Sequence, residues 1–289
     1  MSQEQETPMA PAAPAQNRVW ELNTKVPDDQ LLHVWYTCMN GFAQLRLGGE
    51  HLNLLLCAQP KSASLYAAEL LARSLGLANV PVGFDRRSGG LYYPRLVATK
   101  YLERSTISQC HAAPDRPVRT MIELLGYRPI VLTRDLLDAL VSRRDMLVRD
   151  KTAGALLSPD GMAHFLCATP SEQLDWVIDL FAAESINFSA GWSFYRDDED
   201  LRPLFLTYEE LVSDEVGSVL RLAEALELDV RPDDVAHHVD EIRAAGGINH
   251  NVGIAGRGQA EMSEAQIERL RTLALRLGCE DEAFLGFGL

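Results

Sequence analysis

No run of about 18 apolar residues, the length that spans a bilayer as a helix, occurs in the 289-residue chain. No transmembrane segment is therefore expected. The chain also lacks the basic-then-apolar opening of a secretory leader. It has no CxxC pair, and its five cysteines, Cys38, Cys57, Cys110, Cys167 and Cys279, are odd in number and widely scattered. That spacing supports neither a disulfide framework nor a zinc site, and it suits a reducing cytoplasm. Positive charge is short as well: 27 Lys and Arg stand against 41 Asp and Glu, a formal net charge of -14. Nucleic acid or an anionic membrane is thus a poor principal partner. Wherever an anion does bind, cationic side chains must be gathered locally. No internal repeat is present.

What is present reads as one folded α/β unit. The chain is 47% hydrophobic and 24% charged, as expected of a globular domain. Residues 1–17 are rich in Pro, Ala and Gln, which predicts a disordered tail, leaving 18–289 as a single domain. Unbroken apolar runs at 52–57 and 203–207 and a β-branched run at 129–133 predict strands covered on both faces. A further short strand is expected at 105–110. Apolar spacing predicts helices over 64–75, 134–150, 172–188, 213–226, 232–245 and 263–277. Gly76 is a suitable residue past the first of these, and Ser263 with Gln266 forms a capping box for the last. A Gly-rich loop is expected at 246–258. Strands alternating with helices argue for a parallel sheet with helices on both faces.

Two constellations carry chemistry. The first is the strand at 52–57, the turn Pro60-Lys61-Ser62-Ala63-Ser64 and the helix after it. The first-turn N–H groups of such a helix and the positive end of its dipole face whatever sits in the turn. A lysine and two serines add charge-assisted hydrogen bonds. That is a site for a phosphorylated nucleotide; the plainer alternative is a turn with a solvated Lys61. The turn is not a Walker A loop, because the lysine sits early and no glycine precedes it; it can cradle a phosphate yet offers no obvious metal ligand. The second constellation is Arg134-Asp135 at the end of the 129–133 strand, with Ser142 eight residues on and near the same helix face. Strand ends of an open α/β sheet are where ligands bind, so Arg134 and Ser142 suit a second phosphate. The plainer alternative pairs Arg134 with Asp138.

Together these residues resemble the sulfotransferase family that uses 3′-phosphoadenosine-5′-phosphosulfate (PAPS). The family's 5′-phosphosulfate loop reads P-K-S-G followed by two Ser or Thr residues, and Pro60-Lys61-Ser62-Ala63-Ser64-Leu65 is similar to it. The family's 3′-phosphate motif is an arginine after a strand with a serine eight residues later, as in Arg134 and Ser142. Thr207-Tyr208-Glu209-Glu210-Leu211 looks like its Tyr-Glu-Asp-Leu segment, and Gly256-Arg257-Gly258 before the last helix is similar to the Arg-x-Gly loop of bacterial forms. The likeness spans about 52–277. Ala63 departs from the loop glycine, so its backbone must avoid positive φ or accept strain. Leu65 departs from a hydroxyl residue.

The resemblance implies a P-loop NTPase-like three-layer α/β fold, with a central mostly parallel sheet and helical additions. It implies a sulfotransferase with PAPS as donor, adenosine 3′,5′-bisphosphate (PAP) as product and no metal. Lys61, Ser62, Ala63, Ser64 and Leu65 would line the 5′-phosphate, with Lys61 also neutralising the leaving group. Arg134, Ser142, Arg257 and Gly258 would hold the 3′-phosphate, and Tyr208 would lie near the adenine. The family often places its base in a Lys-x-His pattern after the second strand; here His111 follows, with Gln109 where the lysine stands. A neutral imidazole suits removal of a hydroxyl proton. Glu103 and Glu123 are alternative bases. Cys110 beside His111 raises a thiol hydrolase, but adjacent strand residues face opposite ways. The expected acceptor is a small molecule, lipid or carbohydrate hydroxyl or amine, bound by loops at 84–105 and 155–200, with Trp192, Phe194 and Tyr195 lining it. The expected location is the cytoplasm, and nothing in the residues fixes an oligomeric state. Two other functions compete: a P-loop kinase or NTPase with Asp135 as magnesium ligand, and a degenerate nucleotide binder without turnover.

Overall fold

A computed structural model describes residues 51–80, 105–150, 157–246, 256–279 and 285. These all lie in one compact unit, Gly49–Leu289. The expected tail at 1–17 and the domain boundary at 18 fall outside the described residues, as do Glu103 and most of the 84–105 loop.

Five parallel strands form the central sheet in the order β2-β3-β1-β4-β5. They are β1 (Asn53–Ala58), β2 (Ala78–Asn79), β3 (Thr106–Cys110), β4 (Arg128–Thr133) and β5 (Leu204–Thr207). The helices are α1 (Ser64–Ser74), α2 (Arg116–Leu125), α3 (Leu136–Arg149), α4 (Pro159–Cys167), α5 (Pro170–Phe194), α6 (Tyr208–Ser213), α7 (Glu215–Ala225), α8 (Pro232–Ala245), α9 (Arg257–Glu261) and α10 (Glu264–Arg276). The α/β fold with a central parallel sheet is the one expected, and the four main strands fall within one residue of their predicted bounds.

β1 is buried along its whole length, as a central parallel strand must be. Leu54, Leu56 and Ala58 pack into a cluster with α1, α7 and α8. Leu55 and Cys57, equally buried, point to the opposite face by the pleat alternation. A second apolar cluster joins α3, α4, α5 and α10.

Three local departures have physical causes. α2 was not expected, yet its ends carry signals: Asp115 accepts from Val118 N–H, Pro117 sits in the first turn, and Gly126 closes the helix at φ 55°. Within the expected acceptor region, the helix Pro159–Cys167 was not expected, and the helix predicted over 172–188 runs longer, from Pro170 to Phe194. Ser158 caps α4, and a Thr169–Glu172 capping box starts the 25-residue α5. Trp192 is consequently a core residue, fully buried with its indole N–H donating to Ala112 O at 3.0 Å. It cannot line an acceptor site. Phe194 is 81% exposed, and Tyr195 lies under the Arg119 guanidinium at 5.3 Å. Lastly, Arg257 and Gly258 belong to α9 and not to a loop, while residues 247–255 lie outside the described set.

The register brings the strand ends together. Cys57 pairs with Cys110, Ala58 with Leu132 and Thr133 with Thr207. Gln59, His111, Arg134 and Tyr208 thus follow their strands along one edge of the sheet. The chain leaves β1 for β2 and β3 on one side, then crosses to β4 and β5 on the other. β1 therefore lies where the strand order reverses, the place where open α/β sheets open a crevice at their carboxyl ends.

Candidate active site

The loop after β1 is held by Gln59, which sequence reasoning missed. Its N–H donates to Leu132 O at 2.8 Å, and its carbonyl accepts from Ser62 N–H at 3.2 Å and from Ser62 Oγ at 2.6 Å. Its side-chain Oε1 accepts from Arg134 N–H at 2.9 Å. One residue therefore ties the 60–64 turn to the end of β4. The only sequence signal was a polar residue closing an apolar strand. Ser62, fully buried, uses its hydroxyl proton on the loop itself, so it holds the turn's shape rather than presenting a donor outward.

That shape is strained. Lys61 sits at φ 75° and Ala63 at φ 59°, ψ 32°. The left-handed region costs a residue with a Cβ about 1 kcal/mol or more, and such strain concentrates at functional sites. Ala63 thus adopts the backbone that the glycine of the resembled motif would adopt freely. No side chain caps α1 there, so the first-turn N–H groups of Ser64 and Leu65 carry the donor character of a helix start. The Leu65 side chain is 38% exposed and supplies no polar group.

Lys61 is half-buried, and its ammonium pKa is lowered to about 8, first by burial and then by the guanidinium groups of Arg143, Arg149 and Arg134. This is the local cationic field that an acidic chain needs if it binds an anion. Removal from water weakens the ammonium until a negative group arrives. The sign for stability follows from linkage. The folded state sheds this proton before the unfolded state does, so stability rises with pH between about 8 and 10.5. Anion affinity runs the other way. Its loss between pH 7 and pH 9 should be about tenfold, from titration of a group at 8. Calorimetric titration of PAP across that range checks this, and Lys61→Arg should flatten the step because arginine stays charged.

Arg134 is the hub on the β4 side. It is buried, donates from Nη1 to Lys61 O at 2.9 Å and lies over the Tyr208 ring at 4.0 Å. Tyr208 is itself buried, and its ring face supports that guanidinium. The Asp138 carboxylate, at 3.9 Å from Arg134, is a distant partner, so the plainer pairing is present only weakly. Two donors in this cluster, Gln59 Nε2 and Arg134 Nε, are buried without a hydrogen bond. Glu209, whose pKa is raised by burial, accepts from Asp135 N–H at 3.2 Å.

Asp138, noticed in the sequence only as a rival partner, has a stronger claim. Its two oxygens accept from Gly258 N–H at 2.6 Å and Gly256 N–H at 2.8 Å. That docks α9 on the first turn of α3. Only glycine fits at 258, because a Cβ there would lie 2.7 Å from Asp138 N and nearer still to Leu137. Arg257 is thereby fixed beside α3, and Ser142 is buried on that helix.

His111 stands at the end of β3. Its Nδ1 lies 2.7 Å from Ala58 O. A carbonyl only accepts, so Nδ1 carries the proton and Nε2 is the basic nitrogen of the neutral ring. Gln109 Nε2 approaches that nitrogen at 3.5 Å, a long contact that a hydroxyl can displace. The alternative base Glu123 is a correction: it is exposed on α2 and paired with Arg119 at 2.7 Å, because α2 carries it away from the strand ends. Cys110 approaches Cys57 Sγ at 3.9 Å. Asp135 caps α3 by accepting from Asp138 N–H, and burial raises its pKa to about 6.

No protein-family model matches the chain, and no curated protein matches it by sequence. Solved structures do match. Mouse sulfotransferase SULT7A1, solved as a complex with PAP, aligns with a TM-score of 0.58 at 15% identity, over 82% of this chain and 88% of that one. The chain shares the α/β fold of that structure. Retinol dehydratase, solved with androsterone and the inactive cofactor PAP, aligns with a TM-score of 0.53 at 13% identity, over 79% of this chain and 81% of that one. Among the described residues no helix is long and apolar enough to cross a membrane.

Proposed function

We propose that the chain is a sulfotransferase that moves a sulfuryl group from PAPS to a hydroxyl or amine of a small-molecule, lipid or carbohydrate acceptor. The observation that carries this is the convergence of Lys61, Arg134 and His111 at the ends of β1, β4 and β3, around a strained anion loop. The shared α/β fold and the PAP bound in its structural neighbours support it.

The residues fit the donor. The uncapped start of α1 and the desolvated Lys61 suit the 5′-phosphate, and the orphaned Arg134 Nε asks for an acceptor. Arg134, Ser142, Arg257 and the Gly258 backbone serve the 3′-phosphate, while Ser62, Gln59 and Tyr208 hold these groups in place. PAPS supplies the activated sulfuryl group and leaves as PAP. Lys61 neutralises charge on the leaving phosphate. His111 Nε2 takes the acceptor's proton as the new S–O bond forms, while Nδ1–H stays anchored on Ala58 O. Positioning and charge neutralisation then lower the barrier, as in phosphoryl transfer. The kinase alternative needs Asp135 on magnesium, but Asp135 is engaged as the α3 cap.

Thermal denaturation tests the reading. PAP at saturating concentration should raise the melting temperature by mass action, and ADP at equal concentration much less. Equal shifts would remove the second phosphate site and favour the kinase alternative.

A further inference from the structure

Arg257 already has partners. Its guanidinium donates to Asp145 Oδ2 at 2.8 Å and to Glu261 Oε1 at 2.8 and 3.0 Å. Arg144 takes the other oxygens of both acids, at 2.5 and 3.0 Å on Asp145 and 2.6 Å on Glu261. Two cations and two anions form a closed ring without net charge. Its position is set by α3. Asp138, Ser142 and Asp145 follow one another at intervals of four and three, which puts them on one helix face. α9 crosses that face because Asp138 holds the N–H groups of Gly256 and Gly258. Arg257 is therefore carried onto the same face as Ser142. A phosphate that reaches both must draw the Arg257 donors away from two carboxylates.

We infer that Asp145, seconded by Glu261, sets the affinity of this site for the 3′-phosphate by competing with it for Arg257. The inference rests on the sulfotransferase reading above. Nucleotide entry exchanges carboxylate for phosphate on Arg257, and Arg144 remains to neutralise the two acids. Asp145 is thus a specificity-determining residue that touches no ligand and acts through Arg257. Its removal should strengthen binding of a polyanion, and only of one that bears the second phosphate.

The test is calorimetric titration of PAP and of 5′-AMP, at fixed ionic strength, into wild type, Asp145→Asn and the double variant Asp145→Asn/Arg257→Ala. Asp145→Asn should bind PAP about tenfold more tightly, the scale of one charge-assisted hydrogen bond given up. Its affinity for 5′-AMP should be unchanged, and the gain should vanish in the double variant. Should Asp145→Asn fail to fold, Glu261→Gln carries the same expectation. Unchanged or weaker PAP binding in a folded variant overturns the inference. So does an equal gain for 5′-AMP, which would report only the loss of a negative charge. A wild type that gains nothing from the 3′-phosphate overturns the sulfotransferase reading and this inference with it. A wild type that prefers PAP, beside variants that gain nothing, overturns this inference alone.

Discussion

His111→Ala should lower turnover by about 10²-fold or more, the scale of general acid–base catalysis, and leave PAP affinity nearly unchanged. The split follows from the ring's position. Nδ1–H is committed to Ala58 O at 2.7 Å, which leaves Nε2 as the basic nitrogen of the neutral ring. Gln109 Nε2, at 3.5 Å, can hand that nitrogen to an acceptor hydroxyl without unfolding anything. Glu103→Ala is the companion variant. Near-normal turnover in His111→Ala together with loss in Glu103→Ala would move the base to the carboxylate. Loss of PAP affinity in His111→Ala would make the histidine a loop support.

Arg134→Ala should weaken PAP binding by about 2–4 kcal/mol, the cost of truncating one partner of a buried charge pair. The same variant should barely affect a 3′-dephospho analogue. Arg134 also holds Lys61 O through Nη1 at 2.9 Å and rests on Tyr208, so a smaller common loss on both ligands is expected from a loosened loop. Isothermal titration with the two nucleotides separates these effects. Equal losses would assign Arg134 to the loop alone. Lysine is a poor substitute here, because it lacks the planar fork that reaches a carbonyl while stacking on a ring.

Much of this was legible in the residues. The apolar runs found β1 and β4 because strands buried on both faces leave an unbroken apolar pattern. The run at 203–207 found β5 too, although β5 ends the sheet and only Leu206 in it is fully buried, so it is not covered on both faces as expected. The order of Lys61, Arg134, Tyr208 and Arg257 along alternating elements pointed to one fold. The hidden parts depend on contacts between distant segments. Gln59 has no motif value until β1 and β4 lie side by side and its Oε1 meets Arg134 N–H. Asp138 is only an (i, i+4) neighbour of Arg134 until α9 folds back 118 and 120 residues later and gives it two N–H groups. Ser62 looked like a phosphate donor because its type and place fit. Its hydroxyl instead closes the turn on Gln59 O, which no spacing rule separates from the other outcome. Trp192 was assigned to an acceptor loop because aromatic residues near a polar stretch resemble a binding surface. The two-stage capping of α4 and α5 turns it inward instead.

The strained turn speaks to binding. Lys61 and Ala63 stay in the left-handed region at an energetic cost, and that backbone turns successive N–H groups toward one point, as an anion loop requires. An enzyme and a nucleotide binder without turnover share that need, so only the reaction separates them.

Sulfuryl transfer itself decides the matter. The wild-type chain is incubated with sulfur-labelled PAPS and a mixed set of phenol, sterol, amine and sugar acceptors, with and without chelator, and products are separated by mass. The account predicts labelled sulfate ester or sulfamate, with PAP formed in equal amount and no dependence on chelator. PAPS bound but left intact across the acceptor set, or turnover seen only with ATP and magnesium, would contradict it.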